Sequence, residues 1–268
     1  MTNEPVPLIL VHGWNSHPGV WKRLLPRLEA AGIPYSRFSY ADPAGKDMPL
    51  IAAALEDHLL RFRKESGCGG QVDIVAHSVG ACITRFFLEV MDGKARREKV
   101  RQLIALGPPN NGSALAELFN DPERSGAIIG RLGGVFVPPG YDPAGDAIVQ
   151  DVRPGSSFMA GLTAAGIRKD IAYRIIVTAN PAGLPGFFPL FDGRTWERDD
   201  RGEYRLTLEG DGIVANRESA LPGIPPDIIL PGTGTTGFPP MDPDQYCHIN
   251  LPKNPAVLDR IMQYLGEP

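Results

Sequence analysis

Strand-like and helix-like patterns alternate along this chain. Residues 6–11 form a short continuous apolar run, the signature of a strand covered on both faces. Residues 21–31 then place Leu24, Leu25 and Leu28 on one helical face, and residues 35–40 suit a second strand. Over residues 50–64 Ile51, Leu55, Leu59 and Phe62 recur at helical spacing, and Gly67-Cys68-Gly69-Gly70 closes the segment with a turn. Residues 72–75 and 100–106 predict two more buried strands, separated by a helix over residues 81–91. This rhythm predicts an α/β fold, a mostly parallel central sheet with helices on both faces.

The rhythm breaks after Gly107. Residues 107–170 are rich in Gly, Pro and small side chains, with short helical pieces such as residues 113–119 and an apolar stretch from Ile128 to Phe136 broken by glycines. A strand resumes over residues 171–178. A second insertion, residues 180–209, carries an apolar patch at 184–191. It ends in a β-hairpin, 195–198 with 204–208, around Asp199-Asp200-Arg201-Gly202. Residues 228–230 and 255–265 predict the last strand and the last helix. With no repeat and no linker, the whole chain, 1–268, reads as one domain. Its two insertions have the length of functional lids.

The segment Ala76-His77-Ser78-Val79-Gly80 directly follows the strand at 72–75. Small residues two positions either side of a serine allow a strand and a helix to meet around a sharp turn that lifts the hydroxyl clear of the backbone. A serine hydroxyl is a poor nucleophile at neutral pH and needs a base, usually a histidine oriented by a carboxylate. Of five histidines only His248 follows Ser78, in a loop between the last strand and the last helix. It is the candidate base. Asp211 is the preferred acid, because Gly210 and Gly212 flank it in a tight turn ahead of Ile213-Val214. Asp192 is the runner-up. Asp199 and Asp200 sit at a hairpin tip, and Asp242 and Asp244 lie close in sequence to His248. An oxyanion needs two backbone N–H donors. Val79, at the start of the following helix, and Trp14, in Val11-His12-Gly13-Trp14 after the first strand, are the candidates. His12 and His77 read as structural neighbours of these turns, His17 as a loop residue and His58 as a helix-surface residue.

Composition narrows the class. The 268 residues are 43% hydrophobic and 22% charged, which is enough to bury a sizeable core. A net charge of −4 gives no footprint for nucleic acid, and the cluster Lys94, Arg96, Arg97, Lys99, Arg101 reads as a solvated helix end. Three cysteines, Cys68, Cys82 and Cys247, at unrelated spacings suggest free thiols, and no metal-ligand spacing appears. No basic segment followed by an apolar one opens the chain around Glu4, and no apolar run spans a bilayer, so the expected location is cytoplasmic. No cofactor is expected.

The segment Val72-Asp73-Ile74-Val75-Ala76-His77-Ser78-Val79-Gly80 resembles that of small bacterial lipases of the α/β-hydrolase superfamily whose serine motif begins with Ala. Val11-His12-Gly13-Trp14 resembles that family's first loop, and Leu106-Gly107-Pro108-Pro109-Asn110-Asn111-Gly112-Ser113 its Gly-Pro segment. Asp211 and His248 fall where the family places its acid and base. The resemblance covers roughly the first 112 residues and the end of the chain, not the insertions. Ala81 stands where many lipases have a second Gly. The resemblance implies hydrolysis of acyl esters through an acyl-enzyme, with small-molecule ester substrates. A lid would favour lipids and transient contact with a lipid interface, a plain loop small soluble esters. Thioester hydrolysis or acyl transfer by the same residues, and a binding module that keeps only the fold, stay open.

Overall fold

The computed structural model describes residues 5–40, 46–67, 70–232 and 242–267. The turn at Cys68-Gly69 and Glu4 lie outside them. β1 (Leu8–Val11) leads through a 3-10 turn, Pro18–Trp21, to a short helix α1 (Leu25–Ala30). The single helix expected over 21–31 is therefore divided. Pro26 has no N–H to continue a ladder from Lys22, and such a residue is accepted only in a helix's first turn. β2 (Tyr35–Phe38), α2 (Met48–Ser66), β3 (Val72–His77) and α3 (Val79–Arg85) follow. The chain then runs through a π-type segment, Phe86–Met91, into β4 (Val100–Leu106).

The glycine-rich stretch is more helical than its composition suggested. It contains α4 (Ala114–Leu118), α5 (Ser125–Leu132), α6 (Ala147–Asp151) and α7 (Ser157–Ala165). Side chains of Ser113, Asp146 and Ser156 cap α4, α6 and α7, each accepting N–H bonds from the first turn. β5 (Ala172–Thr178), the antiparallel pair β6 (Thr195–Arg198) and β7 (Tyr204–Thr207), α8 (Asn216–Ser219), β8 (Asp227–Ile229) and α9 (Pro255–Leu265) complete the order.

Six strands form one parallel sheet in the order β2-β1-β3-β4-β5-β8. Every residue of β1 and β3 is buried, whereas the edge strands β2 and β8 are partly exposed. That is why the central strands lack in–out alternation: both faces are covered. Asp73 and, at its end, His77 are the polar residues buried inside β3, and Asp73 is paired. Its carboxylate is held by the Arg101 guanidinium, bidentate at 2.9 and 2.6 Å, and by the Gln102 amide at 2.9 Å. Arg101 thus belongs to an ion pair within the sheet, not to a solvated helix end. His58 is likewise half-buried, its ring bonded to Ser36 Oγ at 2.9 Å.

The two insertions part company. Phe187, Phe188 and Phe191 of the 184–191 patch are core, and β6 braces the turn at Asp211 through Thr195 Oγ, which accepts the Gly212 N–H at 2.7 Å. In the other, Ile128 and Leu132 are core, Val135 is 56% exposed, and Phe136 reaches the carboxyl end of the sheet. Among the described residues no helix is long and apolar enough to cross a membrane.

Candidate active site

The carboxyl ends of β1, β3 and β4 converge, as open parallel sheets require of a ligand site. Ser78 follows β3 directly, with φ 56° and ψ −134°. A non-glycine residue so placed stores roughly 1–3 kcal/mol of strain. The neighbours that impose it are visible. The Ser78 N–H donates to Leu106 O at 2.9 Å, and α3 starts at once behind β1. The second small position has a steric reason: a Cβ on Gly80 would lie 2.4 Å from His12 O.

The structure brings Ser78, His248 and Asp211 together across 170 residues of sequence. Ser78 Oγ lies 2.9 Å from His248 Nε2, and His248 Nδ1 lies 2.7 Å from Asp211 Oδ2. All three are buried, at 6%, 1% and 1% exposure. The other Asp211 oxygen accepts the N–H groups of Ile213 and Val214 at 3.0 and 2.7 Å, and the His248 N–H returns to Asp211 O at 2.8 Å. The carboxylate is therefore fixed on both oxygens. With Nδ1–H donated to it, His248 presents Nε2 as the acceptor for the serine hydroxyl. The alternative acid Asp192 lies at the end of the Pro189–Phe191 turn and has no bond to His248.

Two further histidines frame this trio and are uncharged. His77 donates Nε2–H to His248 O at 3.0 Å, and its ring centroid lies 4.7 Å from that of His248. Burial, and secondarily the neighbouring His248, hold its pKa well below the ordinary histidine value. His12 is pushed down to about 4 by burial. Its Nδ1–H donates to Gly13 O, Nε2 accepts the Tyr40 N–H, and its ring stacks on Tyr40 at 4.1 Å. His12 therefore shapes the loop that ends at Trp14.

That loop is held from outside as well. Trp14 Nε1 donates to Asp146 at 3.1 Å, and Asn15 Nδ2 to Phe136 O at 3.1 Å. Among the described residues the backbone N–H groups of Trp14 and Val79 meet no protein acceptor. Both residues border a small apolar pocket with Ser78, Leu115, Phe119, Phe136 and Ile213. Donors without partners beside a serine are suited to an oxyanion.

Sequence reasoning missed three supports. Gly107, with φ 52°, backs onto the Asp–His pair: a Cβ there would lie 2.6 Å from Asp211 Oδ2 and 3.1 Å from His248 Nδ1. Glu218 is buried and accepts the N–H groups of Ala114 and Ala215, tying the pocket wall to the Asp211 turn. Burial pushes its carboxyl up to about 8. Asp146 fixes Trp14. Only Gly107 had a sequence signal, as part of the Gly-Pro segment. Among the described residues no cluster of ligating side chains could hold a metal ion.

The model of the alpha/beta hydrolase family matches residues 8–249. No curated protein sequence matches the chain. Solved structures share its fold at low identity. A mature lipase from Bacillus licheniformis superposes with TM-score 0.67 at 17% identity, over 98% of this chain and 93% of that one. A phospholipase from Legionella pneumophila gives 0.60 at 18%, over 98% of this chain and 60% of that one. A metagenomic carboxyl esterase gives 0.58 at 16%, over 99% and 76%.

Proposed function

The chain belongs to the alpha/beta hydrolase family, and on that premise we propose that it is a serine hydrolase cleaving carboxylic esters through an acyl-enzyme. The observation that carries the proposal is the continuous hydrogen-bonded line from Ser78 through His248 to Asp211, with no intervening gap. His248 takes the hydroxyl proton as Ser78 Oγ attacks the ester carbonyl. Asp211 holds the ring and stabilises the imidazolium that forms. The N–H groups of Trp14 and Val79 receive the oxyanion, and losing one such donor costs about 3 kcal/mol. His248 then returns the proton to the departing alcohol. Water, deprotonated by the same ring, releases the carboxylic acid and restores Ser78.

Room in the apolar pocket argues for short acyl groups. Its volume is about 40 Å³. The reading is therefore a carboxylesterase for short acyl chains. A lipase, a phospholipase and a carboxyl esterase share the fold, which agrees with ester chemistry and leaves the substrate to the pocket.

The test is hydrolysis of p-nitrophenyl esters from acetate to palmitate by the wild type and Ser78→Ala. Expected is a maximum near butyrate and a fall of about 10⁶ in kcat for the variant, with an unchanged circular dichroism spectrum. Turnover in Ser78→Ala near that of the wild type refutes the assignment. A thioesterase or an acyltransferase would show instead as a preference for thioesters or as transfer to an added alcohol.

A further inference from the structure

A second space opens at Ser78, and its chemistry differs from that of the apolar pocket. It is a cleft of about 520 Å³ bordered by Ser78, His248, His17, Lys22, Phe136 and Lys253, with no carboxylate among its described lining residues. Phe136 borders both spaces. His248 borders only this one. The base must protonate the departing alcohol, so the alcohol portion of the ester lies on the side of His248. The apolar pocket, which His248 does not border, is left for the acyl portion.

The cations of this cleft are placed by the site's own scaffold. Lys22 ends the 3-10 turn Pro18–Trp21, which the chain enters just after Trp14. Lys253 ends the 3-10 segment His248–Lys253, which starts at the base itself. Among the described residues neither ammonium has a carboxylate partner. Burial holds His77 neutral, and the Lys253 charge, near enough to be felt there, is the least of the further causes. His17 accepts the Gly19 N–H on Nδ1, which leaves Nε2–H as a third donor. Two unpaired ammonium groups stand out in a chain of net charge −4. A cleft lined by one sign of charge concentrates ligands of the other sign.

We propose that the substrates are esters whose alcohol portion carries an anionic group, phosphate or carboxylate, received by Lys22 and Lys253. The inference rests on the serine-hydrolase reading and names its substrate class. The short acyl chain occupies the apolar pocket beyond Phe136.

The test uses matched pairs with one acyl group. Monobutyrin is compared with 1-butyrylglycerol 3-phosphate, and methyl 4-butyryloxybenzoate with 4-butyryloxybenzoate. Expected is a kcat/KM about tenfold higher for the anionic member of at least one pair, and which pair responds separates phosphate from carboxylate. Each exposed charge contact is worth up to about fivefold, so Lys22→Met and Lys253→Met should each lower the anionic-to-neutral ratio by about threefold. The double variant brings it near one, and the double Lys→Arg variant keeps it. Raising salt to about 0.5 M should erode the preference, because the screening length shrinks to a few ångströms. Equal or better turnover of the neutral members, or a preference that survives the double Met variant, overturns the proposal while the hydrolase reading stands. Absence of any Ser78-dependent ester turnover removes both.

Discussion

Replacing Gly107 by Ala adds one methyl group at the back of the Asp–His pair, and the surrounding atoms set its cost. The new Cβ would meet Asp211 Oδ2 at 2.6 Å and Leu251 Cδ1 at 2.9 Å. The backbone cannot easily step away, since the Gly107 N–H is bonded to Ile176 O at 2.9 Å inside the sheet. Ordinary contact starts near 3.4 Å, so the carboxylate has to retreat by about 0.8 Å. That withdraws it from His248 Nδ1, now 2.7 Å away. A misplacement of about 1 Å costs on the order of 10²-fold in rate, and a hundredfold lower kcat on p-nitrophenyl butyrate is expected. Separately, φ 52° strains any residue with a Cβ by roughly 1–2 kcal/mol. At about 2–4 °C per kcal/mol that is a few degrees in melting temperature. Gly67 separates the two effects. It has φ 67° and ψ 9°, the left-handed region, and nothing within 4 Å of an added Cβ. Gly67→Ala should lose comparable stability and keep its kcat. If Gly107→Ala turns over within about threefold of the wild type, the claim that rate depends on the Asp211–His248 contact is wrong.

Other expectations follow from the same geometry. Asp211→Asn should keep the fold and lower kcat by about 10⁴, since the Ile213 and Val214 N–H groups hold the amide oxygen and leave its NH2 facing Nδ1, which imposes the wrong tautomer; a loss under tenfold would point to another acid. Phe136→Ala should join the apolar pocket to the cleft and move the best p-nitrophenyl ester from butyrate toward octanoate, read as kcat/KM across the series; an unmoved optimum would show that Phe136 does not limit chain length. Glu218 is raised to about 8 when folded, against about 4.3 when unfolded, so the folded state holds the proton more tightly. Stability from this group is complete below pH 4.3 and is lost as pH rises to 8, by a few kcal/mol. Denaturant titrations of Glu218→Gln should lack that decline between pH 5 and 8, and a slope equal to the wild type's would refute it.

The alternation of elements was legible because a strand covered on both faces must be apolar almost throughout. β4 and α9 appear with the bounds their patterns suggest. Ser78, Val79, Trp14 and His248 could be nominated because each sits at the end of a strand or beside a turn whose small residues have a local steric purpose. Asp211 stood out through its flanking glycines, the apolar Ile213-Val214 after it and its place in the family resemblance, and several other aspartates had equal claims on charge alone. The piece at 113–119 was legible and is α4, but the other helices of residues 107–170 were hidden by glycine content, since caps such as Asp146 and Ser156 carry them and leave no periodic trace.

The sequence by itself determined the layered parallel sheet, the turn at Ser78 and the order of the candidate site residues, because these follow from local sterics and from periodicity. Only the tertiary structure decided which aspartate faces His248, that Gly107 must lack a side chain, and that Phe136 borders both an apolar pocket and a cleft with two lysines. Those facts depend on distances between segments a hundred or more residues apart. Such distances are set by how the insertions pack over the sheet, and no short window of sequence encodes them.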